Sequence, residues 1–304
     1  MSSGENFGKR QMSSHPPQPA LFIVATPIGN LDDMTPRAIA TLKNVDIIAA
    51  EDTRNTRKLL THFNISGAEL ISYHDHVEDE RSEKLVNRMI KQGLSVALVS
   101  DAGTPCVADP GYRLVRLAKE NGIKVHPIPG ASALTSLISA SGLRSDRVLF
   151  VGFLPTKASD LRREVQSWSK TNAAVVYFEP TRRLETSLSV IAEIYPQAEV
   201  SIGRELTKLY EEIETKPVLE AISWLQGHSV LKGEAVVMIS IGSSLGENPE
   251  AQGELLIEQA RAAAVRGFSS GKTLKDLLKE LGGLGLPRTE LYQLLLAVKE
   301  ELSD

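Results

Sequence analysis

The sequence predicts an α/β protein of two successive domains followed by a small helical module. Three observations carry this. From Leu21 to Gly142 short runs of branched apolar residues alternate with segments of helical period. A second alternating set begins at Arg147. Beyond Gly242 to Gly253 (GSSLGENPEAQG), a stretch of linker composition, the pattern is helical to the end of the chain. The expected divisions are a disordered tail at 1–19, α/β domains at 20–145 and 146–244, a linker at 245–253 and a helix-turn-helix-like module at 254–304.

In the first domain the expected strands are Leu21 to Ala25, Asp46 to Ala50, Glu69 to Ser72, Ser95 to Val99 and Lys124 to Ile128, arranged as a parallel sheet with crossover helices. Thr35 and Pro36 supply an N-cap and a first-turn proline before Arg37 to Lys43. Glu78 to Gln92 places Leu85, Val86, Met89 and Ile90 along one helical stripe. The second domain contributes strands at Val148 to Gly152, Ala173 to Phe178, Glu199 to Ile202 and Ala235 to Ile241, with helices at Leu161 to Trp168 and Arg183 to Ile194. In the module, Thr273 to Leu281 and Pro287 to Leu302 flank the turn GGLGLP as a helix pair.

Composition bounds the function. Thirty-four Lys and Arg against 38 Asp and Glu give a net charge of −4, so any nucleic-acid contact needs a local basic patch. From Glu250 to Asp304 seven basic residues face nine acidic ones, which argues against strong nonspecific phosphate binding by the module. The single cysteine, Cys106, excludes an internal disulfide framework or a cysteine-rich zinc site and suits a reducing, cytoplasmic compartment. Met1 to Pro19 has no apolar core and does not read as a signal peptide, and no apolar run is long enough to span a membrane.

Chemistry is expected in three loops at successive strand ends. Leu21 to Thr35 (LFIVATPIGNLDDMT) is a strand, a tight turn and a capped helix, in which Gly29 permits close backbone approach and Asn30 offers polar groups. Val99 to Tyr112 (VSDAGTPCVADPGY) is long for a plain connection. Its prolines, Pro105 and Pro110, stiffen it, and Asp101 can accept from a ribose or an ammonium group. Pro127 to Ser136 (PIPGASALTS) opens a helix with small residues that let a flat ring approach the backbone.

With these loops in series, TPIGN, AAEDTR, DAGTP and GFLP make the chain resemble the tetrapyrrole methylase superfamily, and within it the branch that methylates a ribose in small-subunit ribosomal RNA. TPIGN stands where small-molecule members carry a triple-glycine turn, and DAGTP where they tend to carry a Gly-Gly-Asp-Pro run; both differences favour the RNA branch. The resemblance implies a homodimer of two-domain subunits of tetrapyrrole-methylase type, with S-adenosylmethionine in the donor cleft between the domains. It implies Pro27, Asp101, Ala102, Gly103 and Val107 along one side of the donor, Ser132 and Ala133 beneath it, and Phe178 and Ala235 closing over it. The implied reaction is 2'-O-methylation of a ribose, with cytidine as the expected nucleoside and the small ribosomal subunit or its RNA as partner.

A ribose hydroxyl is a poor nucleophile at neutral pH, so a base within hydrogen-bond reach is expected. Glu51, Asp52 and His74 are the first candidates, with Glu179 and Glu205 behind them. Asn30, Arg54, Arg182, Arg204, Glu205 and Lys208 are the expected substrate contacts, with Arg57 nearby. The competing reading of Glu51 to Arg54 is a helix cap. No metal is expected: His74, Asp75 and His76 lack further ligands at recognisable spacing. Ser269 to Thr273 (SSGKT) is not a phosphate loop, because Arg266 stands where one needs glycine. Cys106 reads as packing. Two other functions stay open, methylation of a tetrapyrrole or other small molecule, and a nucleic-acid-binding regulator that senses a metabolite.

Overall fold

A computed structural model describes residues 18–74, 78–227, 233–241, 249–270, 272–281 and 288–301. The chain divides into two compact units, Met1–Gly242 and Ser243–Asp304.

The first unit opens with a parallel sheet of β1 (Ala20–Val24), β2 (Ile47–Ala50), β3 (Glu69–Ser72), β4 (Ser95–Val99) and β5 (Lys124–Ile128), in the order β3-β2-β4-β1-β5. Apolarity sets that order. IIAA of β2 is buried throughout and VALV of β4 likewise, as a central strand covered on both faces requires. Glu69 and Pro127 lie on the edge strands β3 and β5, where a charge or a missing N–H is tolerated. Side chains alternate between two cores, so Ile47 and Ala49 enter one and Ile48 and Ala50 the other.

The crossovers are α1 (Pro36–Asn44), α2 (Thr53–His62), α3 (Glu78–Gln92) and α4 (Tyr112–Glu120), with α5 (Ala133–Ala140) following β5. Thr35 caps α1 by accepting from the Ala38 N–H at 3.1 Å. In α3, Leu85, Val86 and Met89 are buried as the stripe predicts, whereas Ile90 is exposed, one position beyond the face that packs.

A mixed sheet follows, built from β6 (Val148–Phe153), β7 (Ala174–Pro180), β8 (Glu199–Arg204), β9 (Glu212–Pro217) and β10 (Glu234–Ser240), in the order β6-β7-β10-β8-β9. Only β6 and β7 run parallel. Helices α6 (Ala158–Ser167), α7 (Leu184–Ile194) and α8 (Val218–Gln226) cover the face that presents Val175, Tyr177 and Val237. Leu137 of α5 packs on the other face with Val176, Val236 and Met238, joining the two halves of the unit. The sequence reading missed β9 and α8. EIETKP is polar and lies at the sheet edge, so it lacks the apolar run that marks the inner strands.

The second unit holds α9 (Pro249–Ser269), α10 (Leu274–Glu280) and α11 (Arg288–Glu301) around Ala260, Ala264, Leu277, Leu291, Leu295 and Val298. Residues 249–253, expected in the linker, are the first turns of α9; their Glu and Gln favour helix over the single glycine. Thr273 and Asp276 form a capping box, the helix-start role that the failed phosphate-loop pattern left for them. Residues 1–17 of the expected tail, 245–248 of the expected linker with 242–244 before it, Asp75 and His76, Gly271 and the GGLGLP turn lie outside the described residues. Among the described residues no helix is long and apolar enough to cross a membrane.

Candidate functional site

β2 and β4 are neighbours whose onward connections lead to opposite edges of the sheet, β2 to β3 and β4 to β5. Such a divergence opens a crevice at the carboxyl ends of the strands. Main-chain hydrogen bonds tie the loops there together. Thr26 and Gly103 exchange two, at 2.8 and 3.0 Å, and the Ala25 N–H donates to the Ile128 carbonyl at 3.2 Å. The Thr26 hydroxyl donates to the Ser100 carbonyl at 3.2 Å, and the Thr104 hydroxyl to that of Ala131 at 3.3 Å. Gly103 adopts φ +81°, which glycine alone takes without strain.

Asp101 is the hub of this arrangement. Its N–H donates to Glu51 Oε2 at 3.2 Å, while its own carboxylate accepts the Asp52 N–H at 3.1 Å and the Asn55 amide at 3.0 Å. The end of β4 is thereby fixed to the start of α2.

Above these loops lies a cavity of about 600 Å³, within the range for small organic ligands. Asp101, Ala102, Gly103, Val107, Ser132 and Ala133 line one side. Phe153, Phe178, Gly203, Leu206, Ala235 and Val236 from the second sheet line the other. Phe178 meets Phe150 and Phe153 edge-on, with ring centroids 5.0 and 5.7 Å apart, which fixes its plane. Among the described residues the lining is strongly acidic, with Glu51, Asp101, Asp109, Glu205 and Glu234 against Lys208. Burial, reinforced by the neighbouring charges of Glu51, Asp101 and Glu234 and opposed by a hydrogen bond from Ser100, pushes the Asp109 carboxyl up to about 6. A cation in the cavity would relieve that repulsion.

Most residues expected around the donor line this cavity, but Pro27 lines a smaller neighbouring cavity with Asn55 and Lys58. Of the base candidates, Glu51 and Glu205 line the main cavity. Asp52 does not. It caps α2 through the Arg54 N–H at 2.8 Å and pairs with the Arg54 guanidinium at 2.6 Å, which holds its carboxyl down at about 2. The cap geometry thus belongs to Asp52, while Glu51 faces the cavity. His74 follows the edge strand β3 and is outside the cavity lining. Glu179 is fully buried on the opposite face of β7 from Phe178, 3.2 Å from Arg183, with burial pushing its carboxyl up to about 7 against the pull of Arg183 and Arg182.

Among the expected substrate contacts, Arg204 is largely buried and pairs with Glu212 on the next strand at 2.6 Å. Lys208 pairs with Glu205 at 3.1 Å, both at the main cavity. Asn30 accepts from the Asp32 N–H at 3.1 Å, and its own N–H donates to Thr207 Oγ at 3.0 Å. Gly29 packs so closely on this turn that a Cβ would meet Lys208 Cγ at 2.5 Å. Asn30 is thus a structural clasp between the two halves, while Arg54 and Arg182 are exposed. Cys106 packs against Gly111, where a Cβ would come within 2.5 Å of its sulfur. Sequence reasoning missed Asp109 and Glu234. The first stands in the quoted loop directly before Pro110, a ready signal; the second, beside Ala235, carried none.

Residues 20–222 match the model of the tetrapyrrole (corrin/porphyrin) methylases. A relative in Halalkalibacterium halodurans, named ribosomal RNA small subunit methyltransferase I, is 40% identical over 90% of this chain and 93% of its own. One of the same name in Escherichia coli O157:H7 is 39% identical over 90% of this chain and all of its own. The chain belongs to the tetrapyrrole methylase family, in the ribosomal RNA small subunit methyltransferase I group. Solved structures agree on the family fold. The methyltransferase CobJ superposes with a TM-score of 0.57 over 76% of this chain and 98% of its own at 17% identity. Uroporphyrin-III C-methyltransferase from Thermus thermophilus, solved with S-adenosylhomocysteine, gives 0.51 over 73% and 97% at 16% identity.

Proposed function

We propose that the protein transfers the methyl group of S-adenosylmethionine to a ribose 2'-hydroxyl of small-subunit ribosomal RNA, a cytidine being the expected nucleoside. The acidic cavity carries the reading. S-adenosylmethionine presents a sulfonium and an ammonium as cations and two ribose hydroxyls as donors, and the carboxylates of the cavity match all three kinds of group. It supplies a methyl group on positively charged sulfur. Asp101, Ala102, Gly103, Val107, Ser132 and Ala133 hold one side of it, and Phe178 and Ala235 the other. Water is displaced by the apolar wall, so the charges act at close quarters.

Glu51 accepts the hydroxyl proton, standing at the end of β2 where the two cavities meet at Asp101. The enzyme works as a homodimer in the cytoplasm; edge strand β6 leaves Val148 and Leu149 exposed for a second subunit. The deciding experiment offers labelled donor with purified small subunits, their naked RNA and a porphyrinoid, followed by mapping of the labelled nucleotide. Transfer to either form of the RNA is expected, and Glu51→Gln should slow single-turnover transfer by about 100-fold with little change in RNA affinity. Transfer to the porphyrinoid alone, or donor binding with duplex-DNA affinity and no transfer, would replace this reading.

A further inference from the structure

We propose that the exposed face of α2 and the cavity beside it form the acceptor site: Arg57 and Lys58, joined by Arg54 and His62, hold successive phosphates of the RNA strand, and the cavity takes the acceptor nucleoside. The proposal rests on the RNA-methyltransferase reading and places its substrate.

Arg54, Arg57, Lys58, Thr61 and His62 recur at i, i+3, i+4, i+7 and i+8, which puts all five on one stripe of the helix. They line a shallow depression of about 480 Å³ and all are exposed. Arg54 shares its charge with Asp52, but among the described residues neither Arg57 nor Lys58 meets a carboxylate. Like charges at this spacing repel one another and weaken a helix. In a chain of net charge −4, such a stripe is a local exception that suits an anionic strand.

The stripe does not end in open surface. Lys58 also lines a cavity of about 300 Å³, together with Pro27, Leu31, Asn55 and Leu59. This cavity in turn shares Ile28, Asp101 and Ala102 with the donor cavity. A strand lying on α2 thus has a path for one nucleoside to the wall behind which the methyl group sits. Charge sorts the parts: five carboxylates make the donor cavity repel phosphate, the stripe attracts it, and the cavity between carries, among the described residues, Lys58 and Asp101 as its charged groups, fitting a neutral nucleoside. Because Asp101 binds both the Asp52 N–H and the Asn55 amide, the stripe is held at a fixed distance from the donor loop.

The test uses the full-length enzyme, the double variant Arg57→Ala with Lys58→Ala, and separately Leu31→Trp, which fills the cavity from its exposed rim. The probes are small ribosomal subunits and naked RNA from cells lacking this enzyme. Calorimetry with S-adenosylmethionine should give unchanged affinity for both variants. The double variant should bind RNA about tenfold or more weakly, with the slope of log affinity against log salt reduced by between about one and two. Leu31→Trp should keep that slope and lose about tenfold or more in single-turnover transfer at saturating RNA. Unchanged affinity and slope in the double variant, or an unchanged rate in Leu31→Trp, would overturn the acceptor site while the unaltered enzyme still transfers methyl to RNA. Absence of transfer by the unaltered enzyme would overturn the RNA reading as well.

Discussion

The floor of the donor cavity, supplied by the first sheet, is held by main-chain bonds between Thr26 and Gly103 and by the contacts of Asp101, whereas the wall supplied by the second sheet is a set of side chains standing on strands. A floor of this kind fixes geometry and tolerates no change of backbone conformation. A wall of this kind fixes shape, and loses it one side chain at a time. Damage to the two should therefore differ in extent as well as in site.

The largest effect is expected on the floor. Gly103→Val places a β-branched residue at φ +81° and should lower donor affinity by about 100-fold or more in calorimetry, with the far-ultraviolet circular dichroism retained. Phe178→Ala should weaken the donor by about tenfold, since it removes one ring from a fixed aromatic cluster and leaves the floor alone. If the wall variant proved the more damaging, the division between floor and wall would fall.

Asp109 sharpens the comparison through pH. Its carboxyl titrates near 6 in the folded protein and near the ordinary aspartate value of 3.8 in the unfolded chain. Between those values the folded form holds the extra proton, so this group favours folding most below about pH 4, and that contribution is lost as pH rises through about 6. Asp109→Asn should therefore be the more stable protein at pH 7 to 8, by about 1 kcal/mol after allowance for a half-exposed side chain, read as a higher melting temperature. Donor affinity of the unaltered protein should rise as pH rises through about 6, and that rise should be smaller in the variant. The smallest effect is expected from removing residues 243–304. Every described residue lining the proposed donor cavity precedes them, so donor affinity should stay within about twofold.

The same contrast explains what the sequence disclosed. The floor was legible in part because some of its needs are chemical and local, prolines that stiffen a loop and a carboxylate at a strand end, whereas Gly103 came from the resemblance. The inner strands were legible because burial on both faces demands apolar runs such as IIAA and VALV. β9 was not, since an edge strand needs little apolar content. Phe178 and Ala235 came from resemblance alone, as nothing in YFEP or KGEAVV says which face a strand turns to a ligand. Asp52 and Glu51 show the limit most sharply. They are neighbours of like chemistry, yet one caps a helix and the other lines the cavity, a difference set by backbone direction at the end of β2.

The paired bonds between Thr26 and Gly103 join peptide groups, not side chains. A socket written in the peptide backbone is indifferent to most of the alphabet that can be spelled across it. A chain that keeps the glycine at position 103 and the strand ends around it can exchange neighbouring side chains without altering these main-chain bonds.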